Sequence, residues 1–120
     1  MSYLLKLPTY EDDRGQLTVI EDCLPFTIKR FYCIYGVKSE RGGHRHLKTT
    51  QALLCVSGSC EIYLDDGIKQ KTIVLDNPNK CLIVEPADWH LMRQFSNHAT
   101  LLVFASELYN PMDYIEDKPL

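Results

Sequence analysis

Turn-forming residues punctuate this chain at short, even intervals, and that rhythm leaves little room for anything but β-structure. Strand-like runs fall at Tyr3–Leu7, Gln16–Glu21, Thr27–Tyr35, Gly43–Leu47, Gln51–Val56, Cys60–Leu64, Ile68–Leu75, Cys81–Glu85, His90–Phe95 and Thr100–Ala105. Between them lie Pro8, Asp13-Arg14-Gly15, Pro25, Gly42-Gly43, Ser57-Gly58-Ser59, Asp76-Asn77-Pro78-Asn79 and Pro86. Asp65-Asp66-Gly67 is the clearest hairpin signal, because Asp-Gly tolerates the positive φ of a tight two-residue turn. Runs of about five residues with a turn every 8–12 residues indicate an all-β sandwich or barrel. No segment before Ser106 carries a sustained helical period. Only the tail, Ser106–Asp117, is expected to turn helical, for one short turn or two.

The 120 residues are the length of a single domain, expected to span residues 1–120. Apolar residues make up 45% of the chain and charged residues 24%, enough to build a core without disulfides. No apolar run approaches the roughly 20 residues of a membrane span, and the N-terminus lacks the pattern of a signal peptide. A cytoplasmic location is expected. The five cysteines are odd in number, widely spaced and without a CxxC pair, so they read as reduced packing residues, with Cys33, Cys55 and Cys81 in strand-like runs. The net charge of −3 gives no basic face for nucleic acid. Lys29, Arg30, Arg41, Arg45 and Lys48 nevertheless crowd together while the tail is acidic. Such a local cationic patch suits a small anion better than a polymer, although an ordinary solvated face has the same composition.

His44 and His46 sit two apart in a strand-like run, so they share a face and Arg45 points the other way. Gly42-Gly43 before them lets the backbone turn and a ligand approach. A third histidine, His90, follows Pro86-Ala87-Asp88-Trp89. His98 lies in the polar turn Ser96-Asn97-His98, is expected in solvent, and has no assigned role. A pair of histidines on one face serves metal ligation, acid–base chemistry or local hydrogen bonding.

Gly36, His44-Arg45-His46 and Gly58, followed by Pro86 and His90, resemble the two motifs of the cupin superfamily. The resemblance implies a jelly-roll fold. One departure bears on chemistry: the glutamate that usually follows the second histidine is Thr50 or Gln51 here. A hydroxyl or a neutral amide is a poor ligand for a divalent metal. Three histidines alone can hold zinc. The expectation is no metal and no cofactor, which frees His44 and His46 for proton transfer.

A longer ordered set resembles a narrower group, the dTDP-4-keto-6-deoxyglucose 3,4-ketoisomerases. It comprises Asp13-Arg14-Gly15-Gln16-Leu17, Pro25 to Tyr32, Arg41 to His46, Ser57-Gly58-Ser59-Cys60, Leu64 to Gly67, Pro86 to His90, Ala105-Ser106 and Asp113-Tyr114-Ile115. The 3,5-epimerases of the same sugars share part of this set and are the natural rival, with a metal-dependent cupin and a non-catalytic sugar-nucleotide binder behind them. The ketoisomerase resemblance implies a homodimer with exchanged N-terminal strands, a dTDP-linked 4-keto-6-deoxy sugar as substrate, and His44 as the catalytic base. His46 would stabilise the oxyanion or shuttle the hydroxyl proton, and Tyr32 would polarise the ketone. Adjacent phosphates call for guanidinium groups; Arg30 and Arg41 are the nearest candidates, with Arg14 and Lys48 next. Trp89 and His90 are expected to close the pocket. Arg14-Gly15 resembles the branch of the family giving the galacto product.

Overall fold

The computed structural model describes residues 2–119 and consists almost wholly of antiparallel strands. They are β1 (Tyr3–Lys6), β2 (Thr9–Asp12), β3 (Gly15–Thr18), β4 (Arg30–Ile34), β5 (Arg41–His46), β6 (Gln51–Ser57), β7 (Cys60–Asp65), β8 (Gln70–Leu75), β9 (Lys80–Val84), β10 (Trp89–Arg93), β11 (Thr100–Ala105) and β12 (Tyr114–Ile115). One five-stranded sheet runs β1-β9-β6-β11-β4, and a second runs β12-β5-β10-β7-β8. Among the described residues, β2 and β3 pair only with each other. The all-β expectation holds.

Alternation decides what faces inward. In β7, Cys60, Ile62 and Leu64 are buried while Glu61 and Tyr63 are half-buried. In β11, Leu101, Val103 and Ala105 are buried. These residues meet Leu53, Leu82, Val84 and Met92 in the core between the sheets. The opposite face of the first sheet is covered as well. Ala52, Leu54, Cys81 and Ile83 pack there against Leu7, Ile20, Leu24 and Phe26. β6 is therefore buried on both sides, which is why it reads as a continuous apolar run.

Several local expectations shift. The Asp65-Asp66-Gly67 hairpin is wider than a two-residue turn: Asp65 pairs with Gln70, and Asp66 Oδ1 accepts from the N–H groups of Ile68 and Lys69, each at 2.8 Å. β4 begins at Arg30 and not at Thr27. Thr9–Asp12 is a strand that its polar composition hides, since its pattern suits a strand with no buried face. Cys33 is exposed, whereas Cys55, Cys60 and Cys81 are buried; all five cysteines are free thiols. The tail forms no helix beyond one 3-10 turn, Pro111–Asp113. Pro111 starts that turn, Asn110 Oδ1 caps it by accepting from the Met112 N–H at 3.0 Å, and the chain then extends as β12 along β5. This late strand brings Tyr114 opposite His46.

Candidate active site

β5 and β10 lie side by side with His44 opposite His90, but the next pair is Gly42 with Leu91. Gly43 is the extra residue of a β-bulge. Both Gly42 (φ 88°) and Gly43 (φ 76°) adopt the left-handed conformation that such a kink requires. A Cβ on Gly42 would lie 3.1 Å from the His90 carbonyl oxygen, so this approach needs glycine for space as well. The bulge has a functional effect. Arg41 and His44 are an odd number apart and would face opposite ways in a regular strand. Both line the same cavity here.

That cavity, of about 420 Å³, is bounded by Arg30, Tyr32, Arg41, His44, Tyr109 and Tyr114, with Ile34 and Met92 among its apolar walls. The ring centroid of His44 lies 5.0 Å from His46, 4.9 Å from His90 and 4.8 Å from Tyr114. His46 and His90 are 2% and 0% exposed. One ring nitrogen of each of the three histidines lies within 4.8 Å of the others, close enough for the three to face one cation. Nε2 of His46 and Nε2 of His90 are buried with no hydrogen-bond partner among the described residues. The other nitrogens are engaged. His90 Nδ1 is 3.3 Å from the Asp88 carbonyl, and His46 Nδ1 is 3.1 Å from Asp113 Oδ2.

Burial and mutual proximity keep these rings neutral. Burial, helped by the neighbouring His46, pushes His44 down to about 4. Burial pushes His90 down to about 3, with His44 and His46 adding to the effect. His46 is lowered by burial, although Asp113 opposes this. A neutral imidazole is the form that accepts a proton. The same shifts make stability pH-dependent. These histidines bind protons in the unfolded chain below its ordinary value near ~6.5 but stay neutral when folded. Their contribution is therefore complete above about pH 6.5 and is lost as the pH falls toward the values of about 4 and 3 for His44 and His90. The urea midpoint should fall on going from pH 7 to pH 4, and more steeply for the wild type than for His44→Asn.

Tyr32 stands on β4 across the cavity. Its hydroxyl accepts from Gln51 Nε2 at 3.0 Å, which leaves its own proton free to donate. Burial, with Tyr114 beside it, raises its pKa and keeps it a neutral phenol. Arg30 lies over the Tyr32 ring at 5.4 Å and the Tyr109 ring at 5.6 Å, and donates to the Tyr114 hydroxyl at 3.3 Å. Of Thr50 and Gln51, the two candidates for the position where a metal-binding cupin carries glutamate, Gln51 is thus turned to Tyr32, and Thr50 donates its backbone N–H to the Ser106 hydroxyl.

The fold brings together His44, His46, His90, Tyr32, Arg30 and Arg41. It does not bring three others. Trp89 alternates with His90 and so faces outward, where its indole N–H donates to the Glu116 carbonyl at 2.9 Å and its ring packs against Tyr63. It clamps the tail and does not close the pocket. Lys48 lines a separate concavity beyond the C-terminal segment, with Lys29, Leu47, Tyr109 and Asp113. Arg14 sits at the tip of the β2–β3 hairpin, paired to Asp12 with its side chain 87% exposed, because that hairpin joins neither main sheet. Four residues that sequence reading did not place in the site belong to it: Gln51, Tyr109, Asp113 and Tyr114. Asp113-Tyr114 was visible only as part of the family-like tail, since nothing local links residue 113 to residue 46.

Residues 1–119 match the family described as FdtA: WxcM-like, C-terminal. The chain belongs to that family. It is 46% identical over 108 residues to the TDP-4-oxo-6-deoxy-α-D-glucose-3,4-oxoisomerase of Aneurinibacillus thermoaerophilus, covering 87% of this chain and 78% of the relative. A 3,4-ketoisomerase from Helicobacter canadensis superposes with a TM-score of 0.91 at 42% identity, over 97% of this chain and 90% of the other. A mutant of the 3,4-ketoisomerase from Thermoanaerobacterium thermosaccharolyticum, in complex with TDP-4-keto-6-deoxyglucose, superposes with a TM-score of 0.92 at 38% identity, over 97% and 87%. The two-sheet sandwich of this family member is the cupin jelly roll.

Proposed function

We propose that this chain is a sugar-nucleotide 3,4-ketoisomerase that converts dTDP-4-keto-6-deoxyglucose to the 3-keto-6-deoxyhexose. The observation that carries the reading is a single cavity holding a neutral histidine, His44, opposite a neutral phenol, Tyr32, with two guanidinium groups at its wall, in a chain 46% identical to an enzyme of that name. The 4-ketone acidifies the hydrogen on C3. His44 removes that proton to give an enediolate across C3 and C4, and returns it at C4. Tyr32 donates a hydrogen bond to the developing oxyanion, and His46 moves the hydroxyl proton. The reaction is an internal redox exchange: C3 is oxidised as C4 is reduced, with no outside electron acceptor.

Arg30 and Arg41 take the diphosphate, and His90 forms the floor beneath the sugar. The galacto product is the favoured one. The whole chain works as one domain in the cytoplasm, where its five thiols stay reduced. It acts as a homodimer in which the β2–β3 hairpin crosses to a second copy. The hairpin exposes Tyr10 (65%) and Leu17 (58%), and β4, which carries the half-exposed Phe31, is an open sheet edge. Crossing would carry Arg14 away from its own subunit's cavity and toward the partner's.

The deciding experiment is incubation with dTDP-4-keto-6-deoxyglucose in deuterated water, followed by proton NMR. A ketoisomerase product loses the C3 proton and gains a deuteron or proton at C4. Exchange at C5 would instead mark a 3,5-epimerase and sink the proposal.

A further inference from the structure

Among the described residues, Asp113 is the carboxylate in hydrogen-bond contact with a site histidine, and each of its two oxygens also accepts from a donor elsewhere. Oδ2 lies 3.1 Å from His46 Nδ1 and accepts from the Thr49 hydroxyl at 2.5 Å. Oδ1 accepts from the Lys48 backbone N–H at 2.6 Å. Asp113 is 7% exposed and Thr49 2%, so water does not compete strongly for these bonds. Burial alone would raise the Asp113 pKa, but Thr49, the Lys48 N–H and His46 hold it below the ordinary carboxylate value. An ionised carboxylate can only accept. His46 must then carry its proton on Nδ1. Its Nε2, buried and without a partner, is left as a lone pair beside His44 and His90.

We infer that Asp113 is a positioning residue that commits His46 to relaying the hydroxyl proton from O3 to O4, while His44 handles the carbon-bound proton. The inference rests on the ketoisomerase reading. The steps balance. His44 takes the C3 proton and leaves its electron pair in the enediolate. His46 Nε2 takes the proton from O3, and the resulting imidazolium is held by the Asp113 carboxylate. His46 gives that proton to O4. The C3–O bond becomes the ketone as C4 takes the proton from His44.

The C-terminal segment is built to deliver this carboxylate. Asp113 closes the 3-10 turn and Tyr114 opens β12 against His46. The strand is then held from outside by the Trp89 indole on the Glu116 carbonyl, by Arg45 Nε on the Asp117 carbonyl at 2.9 Å, and by Lys118 over the Trp89 ring at 4.7 Å. Trp89 and Arg45, which point away from the cavity, thereby serve the site through the strand that carries Asp113.

The test separates the two protons. In deuterated water, Asp113→Asn should slow product formation about 10²-fold. Exchange of deuterium into C3 of unreacted substrate should continue near the wild-type rate, with KM little changed. The ratio of exchange to conversion therefore rises. A purely structural role would lower both in proportion, and that result, or wild-type conversion by the variant, overturns the inference. Nitrogen-15 NMR of the wild type gives a reading independent of any variant: His46 should show a protonated Nδ1 and a bare Nε2, and the opposite tautomer overturns the inference equally. A wild type that neither converts the sugar nor labels C3 would instead refute the ketoisomerase reading.

Discussion

Replacing His44 with asparagine is expected to abolish turnover of the 4-keto sugar, by about 10²–10⁴-fold, while leaving TDP binding within a few-fold of the wild type. Asparagine keeps much of the shape and a hydrogen-bonding end group but has no basic nitrogen. The phosphate contacts assigned to Arg30 and Arg41 come from other side chains and should survive. Product appearance followed by NMR, with TDP titrated calorimetrically, checks both halves. Unchanged turnover would rule out His44 as the base. Loss of TDP binding together with activity would mean that His44 holds the nucleotide. The neutral state of His44, pushed down to about 4, ensures that the base form dominates at neutral pH. The same low value makes it a weak base, so the proposed reaction would depend on Tyr32 stabilising the enediolate.

If the proposed hairpin-exchanged dimer forms, changing both Tyr10 and Leu17 to aspartate should convert it into monomers and remove most of the activity. The two side chains face solvent on the β2–β3 hairpin in a single copy, where burying them gains nothing. In a second copy's groove each would bury apolar area worth about 1.5–3 kcal/mol, and a carboxylate in its place would be stranded. Sedimentation at micromolar concentration should show a fall from dimer to monomer mass. Activity should fall with it, because Arg14 would no longer reach the partner's cavity. A variant that remains dimeric excludes the hairpin as the exchanged element. A fully active monomer excludes Arg14 from the site.

The strand rhythm and the histidine pair were legible because each depends on residues close in sequence. Alternation puts His44 and His46 on one face whatever the rest of the chain does, and the observed rings are 5.0 Å apart. Alternation does not hold where an irregularity intervenes. The Gly43 bulge reverses the facing of Arg41 relative to His44, and the glycines that mark it could equally have been a loop. Trp89 was expected in the pocket because it adjoins His90, yet adjacency in a strand sends neighbours to opposite faces. The short turn expected in the tail is present as one 3-10 turn after Asn110-Pro111, where the cap and the proline allow that turn before the chain is recruited to the edge of β5. Arg14 was grouped with the other cations by resemblance, and only the separation of its hairpin from both sheets shows that it is not near its own histidines.

By itself, then, the sequence determined an all-β chain with His44 and His46 on one strand face, because short-range periodicity and turn chemistry suffice for that. The tertiary structure decided which groups accompany them. Asp113 lies 67 residues from His46, and Tyr32 lies 19 from the glutamine that orients it. Contacts across such separations come from sheet pairing, and no local pattern in the chain encodes them.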